Sequence, residues 1–200
     1  MKLLTSINGN PFIFDSGSPR ILEHVIEGAA KNGVIERLVI NSINSYNLTE
    51  RLLKNINKHG VQNAIIQIFN PHDTTAWGRL KVLQDLLAKL EDTTLNNLLV
   101  DCAITDVNSI TEVIKIFRYV KDKWNLPVGA APCNLTYILR KRTPEFIGKN
   151  YKSFDTALNM LLRCYGADFL IYGHVKSYNR IFKAIYTHDL VVRGLSADKF

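Results

Sequence analysis

Three cysteines in 200 residues are too few for a covalent framework. Their number is odd and no CxxC spacing occurs, so Cys102, Cys133 and Cys164 suggest neither a disulfide scaffold nor a zinc ribbon and are expected to be reduced thiols. No stretch approaches the roughly 18 uninterrupted apolar residues of a membrane span. The opening Met1-Lys2-Leu3-Leu4 lacks a signal-peptide core before Asn8 and Asn10 intervene, and a cytoplasmic location is expected. No glycine-rich GxGxxG follows the first apolar run, which weakens a dinucleotide-binding role. The net charge of +7 comes from dispersed basic residues, and the local cluster Arg140-Lys141-Arg142 reads as a solvated loop. Without an aromatic-interleaved basic stripe, that charge does not argue for nucleic acid and leaves only a weak bias toward acidic ligands or partners.

Against these absences stands a repeated pattern. Short apolar runs each deliver a polar residue where a buried strand would end: Phe12-Ile13-Phe14 into Asp15, Leu38-Val39-Ile40 into Asn41, Ala64 to Phe69 into Asn70, and Leu98-Leu99-Val100 into Asp101. Pro127 to Ala131 leads toward Asn134, and Asp168 to Ile171 ends at Tyr172-Gly173. Nearly continuous apolar strands belong to parallel sheets covered by helices, where function collects at the strands' carboxyl ends. Stripes at helical spacing separate the runs, such as Ile21, Leu22, Val25, Ile26 and Ala29, and then Leu83, Leu86, Leu87 and Leu90. Pro19 after Ser18 marks one helix start, and Ser109 with Glu112 has capping-box spacing at another. Further helices are expected near residues 154–165 and 177–193. With 46% hydrophobic residues, the expectation is one α/β domain over residues 1–200. Six β/α units are visible where a closed eightfold barrel usually needs about 250 residues, which leaves an open α/β sheet or an incomplete barrel.

These segments carry a resemblance. Asp15-Ser16, Asn41-Ser42-Ile43-Asn44, Phe69-Asn70-Pro71-His72-Asp73, Val100 to Thr105, Leu126-Pro127-Val128-Gly129 with Asn134, and Gly166 to Gly173 resemble, in order, the MtrH family of tetrahydromethanopterin S-methyltransferase subunits. The resemblance implies a partial TIM-type (β/α) barrel with about six parallel β/α units, lacking the family's first two. It implies transfer of the N5-methyl group of methyltetrahydromethanopterin, or of a related methyl-tetrahydropterin such as methyl-tetrahydrofolate, to the cobalt of a corrinoid. No Asp-x-His-x-x-Gly motif accompanies the five histidines, so the corrinoid is expected on a partner protein. Further expectations are an amino-terminal half-barrel partner or a homo-oligomer, and a peripheral place in a membrane-bound complex.

The implied pterin contacts are Asp15, Asn41, Asn44, Asn70, Asp101, Gly129 and Asn134. A pterin presents an exocyclic amino group beside a ring N–H, a paired donor edge that one carboxylate can accept with both oxygens, and Asp101 is the candidate. Asn134 would assist departure of the methyl group at N5, with Asp15 acting through a water, since breaking that bond needs a proton or a strong donor.

Duller explanations accompany each residue. Asp15 and Asp101 have the positions of helix caps or turn acceptors, Asn44 of a turn residue, and Asn70 before Pro71 of a sharp strand end. Asp73 could line the mouth of a site. His72 reads as a solvated loop residue, Cys102 as a small buried apolar one, and Trp77 and Trp124 as packing residues; no metal site is expected. The last strand is also similar to that of phosphate-binding barrels, although the glycine-rich loop before it is absent. Dihydropteroate synthase is a nearer cousin, sharing the pterin slot. From a different class comes a truncated, non-catalytic homologue that serves in binding or assembly or as half of a split barrel.

Overall fold

The computed structural model describes residues 9–145 and 147–197, and the chain divides into two compact units at Asp101/Cys102. In the first unit, strands β1 (Phe12–Asp15), β2 (Leu38–Ile43), β3 (Asn63–Gln67) and β4 (Asn97–Asp101) lie side by side in chain order, every neighbouring pair parallel. Parallel neighbours need a crossover. Here it is supplied by helices α1 (Pro19–Lys31), α2 (Glu50–His59) and α3 (Ala76–Leu90). In the second unit come α4 (Val107–Trp124), β5 (Val128–Ala130), α5 (Pro132–Arg142), α6 (Tyr151–Cys164), β6 (Phe169–Leu170) and α7 (Tyr178–Ala197), with β5 and β6 parallel. The described residues thus hold six strands alternating with helices, the α/β repeat that the apolar runs predict.

Local chemistry sets the boundaries. Pro19 occupies the first turn of α1 after Ser18, where its missing N–H costs nothing. Thr49 and Thr75 cap α2 and α3 by accepting from the amides of Leu52 and Gly78. At the end of α2, Gly60 takes φ +67°, a left-handed cap that a side chain would strain. The capping box of α4 begins three residues earlier than the sequence suggests: Asp106 accepts from Ser109 N (2.8 Å), while Ser109 Oγ accepts from Asp106 N (3.2 Å). Ser109 is therefore the reciprocal partner, and Glu112 instead pairs with Lys115.

Helix α5 is a second correction, because the basic cluster is its last turn and not a loop. Cations there complement the helix dipole, and Arg140 lies 4.3 Å from the Tyr151 ring centroid. Strands β2 and β3 also end elsewhere than expected, β2 two residues beyond Asn41 and β3 three residues before Asn70.

The core of the first unit is aliphatic: Leu22, Ile26, Ile40, Leu52, Ile56, Ala64, Ile66 and Val100 are all at most 1% exposed. Because side chains alternate, Ile40, Ala64, Ile66 and Val100 share one face of the sheet. The opposite face begins with Ile13, Val39 and Asn63 and carries the polar residues at the carboxyl ends.

Candidate pterin-binding rim

Register brings the polar strand ends of the first unit together. Asp15 pairs with Asn41, Asn41 with Ile65, and Gln67 with Asp101, so alternation places Asp15, Asn41, Gln67 and Asp101 on one face at the carboxyl end of the sheet. A bulge in β2 protects this arrangement. Asn41 is opposite Ile65 and Ile43 opposite Ile66, leaving Ser42 as the extra residue. The insertion turns Ile43, wholly buried, to the apolar side while Asn41 keeps the polar one. The Asn41–Ser42 peptide bond is cis.

The three acceptor positions differ in environment. Asp101 is 2% exposed, and its Oδ2 accepts from Gln67 Nε2 at 3.1 Å. Its backbone oxygen also accepts from Ile68 N (2.9 Å), which fixes the strand end behind the carboxylate. Asn41 is 8% exposed, yet its carboxamide has no hydrogen-bond partner among the described residues. Neither polar atom of that carboxamide is fully buried, so it stays open to water or to a ligand. Asp15 is exposed, and its carboxylate has neither hydrogen bond nor ion pair among the described residues.

Other predicted residues build loops. Asn44 and Asn47 lock the turn after β2: Asn44 Oδ1 accepts from the amides of Tyr46 and Asn47, Asn44 N donates to Asn47 Oδ1, and Asn47 Nδ2 donates to Ser42 O at 2.7 Å. Asn70 does the same after β3, accepting from the amides of His72 and Asp73 while donating to Gly78 O. Asp73 accepts from the hydroxyl of Thr75 (2.6 Å) and from its amide, and the hydroxyl chiefly holds this carboxyl below the usual range. Its role is to brace the start of α3. A Cβ on Gly78 would fall 2.5 Å from the Asp73 backbone oxygen, so only glycine admits that approach.

Trp77, expected as packing, is 67% exposed in the first turn of α3, because that turn presents Arg79 and Leu80 to the interior instead. Trp124 packs edge-on against Tyr119 with ring centroids 5.9 Å apart. Neither His72 nor any other described residue belongs to a group of three or more His, Cys, Asp or Glu that could hold a metal ion.

In the second unit, Gly129 is required by packing. A Cβ there would lie 2.3 Å from the Phe169 carbonyl oxygen across the β5–β6 pair. Asn134 is exposed in the first turn of α5, its amide bonded to Ala131 O (3.2 Å). Cys102 is buried, as its strand position suggests. Ala103 adopts φ +43°, in the left-handed region that favours glycine.

Three buried polar residues of the first unit, Glu23, Asn47 and Arg79, went unread in the sequence. Asn47 is 2% exposed and Arg79 wholly buried. Arg79 had a legible signal: it falls on the α3 stripe of Ala76, Leu80, Leu83, Leu86 and Leu90, where solvent is unavailable to a guanidinium.

The architecture defines a class before it defines a family. The fold matches the solved dihydropteroate synthase from Coxiella burnetii, a complex with pteroic acid, with a TM-score of 0.63 and 16% identity over 94% of this chain and 70% of that one. The repeats are therefore of the TIM type, those of a pterin-binding synthase's fold. The chain belongs to the tetrahydromethanopterin S-methyltransferase MtrH subunit family, whose model matches residues 1–199. Relatives include the H-type component of a putative mtx methyltransferase from Methanosarcina mazei, 25% identical over 99% of this chain and 67% of its own length. The corresponding component of the Methanopyrus kandleri tetrahydromethanopterin S-methyltransferase is 26% identical over 98% of this chain and 67% of that protein. The chain spans about two thirds of the length of these relatives.

Proposed function

We propose that this member of the methyltransferase family binds a methyl-tetrahydropterin on the β1–β4 rim and passes its N5-methyl group to the cobalt of a corrinoid carried by another protein. The observation that carries the proposal is the common face of Asp15, Asn41 and Asp101, with a nearly buried Asn41 carboxamide left open among the described residues. The solved fold relative was captured with pteroic acid, which supports a pterin as the ligand class.

In this account the Asp101 carboxylate, steadied by Gln67, accepts the exocyclic amino group and adjacent ring N–H of the pterin. Asn41 can donate and accept at once, which suits the neighbouring amide-like edge of the ring. Asp15 completes the rim. Asn44 and Asn70 contribute through the shape of their loops or through their remaining lone pairs.

Methyl transfer breaks the N5–CH₃ bond, forms a cobalt–carbon bond and leaves N5 to gain a proton. Asn134 is assigned as the donor to N5 by family resemblance, with Asp15, free of protein partners among the described residues, supporting it through a water. Such assistance contributes ~10² to 10⁴-fold. A second chain has a place on the first unit: β1 pairs with β2 alone among the described strands of that unit, and Ile13 on its open face is 57% exposed.

The test is methyl transfer from a methyl-tetrahydropterin to cob(I)alamin, followed by the cobalt absorbance change. Asn134→Ala should lower kcat by ~10² to 10⁴-fold with little change in KM. An unchanged kcat removes Asn134 from the chemistry. A chain that binds the pterin and never transfers its methyl group, with or without added partner proteins, supports the non-catalytic alternative instead.

A further inference from the structure

A groove of about 510 Å³ in the second unit has no part in the pterin account. Lys152 of α6, His174 of the loop after β6, Lys176, and Ser177, Arg180 and Lys183 around the start of α7 line it, and no carboxylate is among its lining residues. We infer that this groove is a binding site for a compact oxyanion, a phosphate or a carboxylate-rich group.

Three observations carry the inference. First, the cations are prepared differently. Arg180 is fastened to the floor: it ion-pairs with Asp155, which is 4% exposed, and donates to Thr156 Oγ1 (2.8 Å) and Ser177 Oγ (3.0 Å). The ammonium groups of Lys152, Lys176 and Lys183 have no ion-pair or hydrogen-bond partner among the described residues. Three uncompensated ammonium groups around one groove, above an arginine already neutralised by its own aspartate, make a net positive pocket.

Second, the placement opposes local helix electrostatics. A helix N-terminus carries a partial positive charge and prefers acidic neighbours. The first turn of α7 has none, while Lys176 precedes the helix and Arg180 and Lys183 occupy its first two turns. An anion in the groove removes this conflict, since it meets both the lysines and the helix end.

Third, His174 is oriented as a donor. Its Nδ1 accepts from Lys176 N at 3.1 Å, which leaves Nε2–H to serve a ligand. The groove follows the last strand, at the edge where such folds place ligand loops.

The inference stands apart from the pterin proposal, because every lining residue belongs to the second unit and none is a proposed pterin contact. Two sources of the anion share this chemistry: free phosphate, or acidic groups on the side chain of a larger ligand. Calorimetric titration of the full chain with inorganic phosphate at low ionic strength tests the site. Wild type should bind saturably. Lys176→Gln/Lys183→Gln should weaken binding on the order of tenfold, the effect of removing two charges a few ångströms from an anion. Lys176→Arg/Lys183→Arg should retain it, as should a Lys54→Gln/Lys58→Gln control on α2. The Lys176→Gln/Lys183→Gln protein should fold, because both side chains are exposed and without partners among the described residues.

A second titration with tetrahydrofolate bearing one or several glutamates identifies the source. Affinity that rises with glutamate number only when Lys176 and Lys183 are present assigns the site to a ligand tail. Equal affinities for all chain lengths, with phosphate still bound, assign it to a free anion. No phosphate binding by wild type, or equal loss in the α2 control, overturns the inference.

Discussion

Gly129→Ala separates a packing role from a ligand-binding one. A methyl group at Gly129 would stand 2.3 Å from the Phe169 carbonyl oxygen and 2.7 Å from two ring carbons of the same residue. The ring can rotate away, but the carbonyl is backbone. It is bracketed by ladder bonds from Asp168 N to Val128 O (2.7 Å) and from Ile171 N to Ala130 O (3.0 Å). Reaching ordinary contact requires local separation of about 1 Å between β5 and β6. Overpacking costs about 1–3 kcal/mol, and weakening one of the two bonds adds about 0.5–1.5 kcal/mol. Relief of glycine's entropy returns about 0.5–1 kcal/mol. The net loss is about 0.5–4 kcal/mol, centred near 2, and at that centre Tm falls by about 4–8 °C for a chain of this size. Thermal unfolding followed by circular dichroism reads it. Gly148→Ala is the matched control, since nothing lies within 4 Å of the Cβ it would add, and it should change stability by less than about 0.5 kcal/mol. A Gly129→Ala protein as stable as wild type would refute the packing argument and return Gly129 to the ligand.

Two other perturbations test the second unit. Asp155→Ala removes the ion-pair partner of Arg180 and one of the two acceptors of Thr136 Oγ1 (3.1 Å, the other being Pro132 O at 3.2 Å), so denaturant unfolding should show a loss of about 2–4 kcal/mol, whereas Thr136→Val should cost only about 1 kcal/mol. Equal losses would mean that the ion pair contributes nothing. Asp189 is held below the usual carboxylate range by hydrogen bonds from His188 first and Arg163 second. A depressed folded pKa contributes stability above the unfolded value of about 3.9 and loses it as pH falls through the folded one. Asp189→Asn should therefore be slightly less stable than wild type at neutral pH, with the gap closing below about pH 4. A gap that widens in acid would reverse the assigned sign.

The sequence was legible where one chemical cause acts alone. Apolar runs ending in Asp15 and Asp101 located the carboxyl ends of β1 and β4 to the residue, because a buried strand must stop where a carboxylate needs water or a partner. Pro19 located α1 equally well. Reading failed where two causes compete. Asp106 and Ser109 are both capable caps, and only the reciprocal bonds show which leads. Arg140-Lys141-Arg142 has the composition of a loop, yet a helix C-terminus favours the same charges.

The candidate site divides along the same line. That Asp15 and Asp101 arrive at strand ends follows from their runs, but the face they share with Asn41 rests on the register of β1 to β4, which no residue type announces; the bulge at Ser42 turns only Ile43 away from it. Asn44 and Asn70 are ambiguous in the sequence because turn-forming and ligand-binding asparagines are chemically identical. In the structure each Oδ1 accepts from two backbone amides, which shows the turn role alone. Gln67, the partner of Asp101, lay hidden within an apolar run.

On the proposed function, the β1–β4 rim holds the pterin ring. Calorimetric titration of the full chain with a methyl-tetrahydropterin tests it, comparing wild type with Asp101→Asn, Asn41→Ala and His72→Ala. Saturable binding should weaken on the order of 100-fold in Asp101→Asn, which loses the charge of two charge-assisted bonds, and about tenfold in Asn41→Ala, while His72→Ala should match wild type. Folded Asp101→Asn and Asn41→Ala proteins that bind as tightly as wild type would contradict the account.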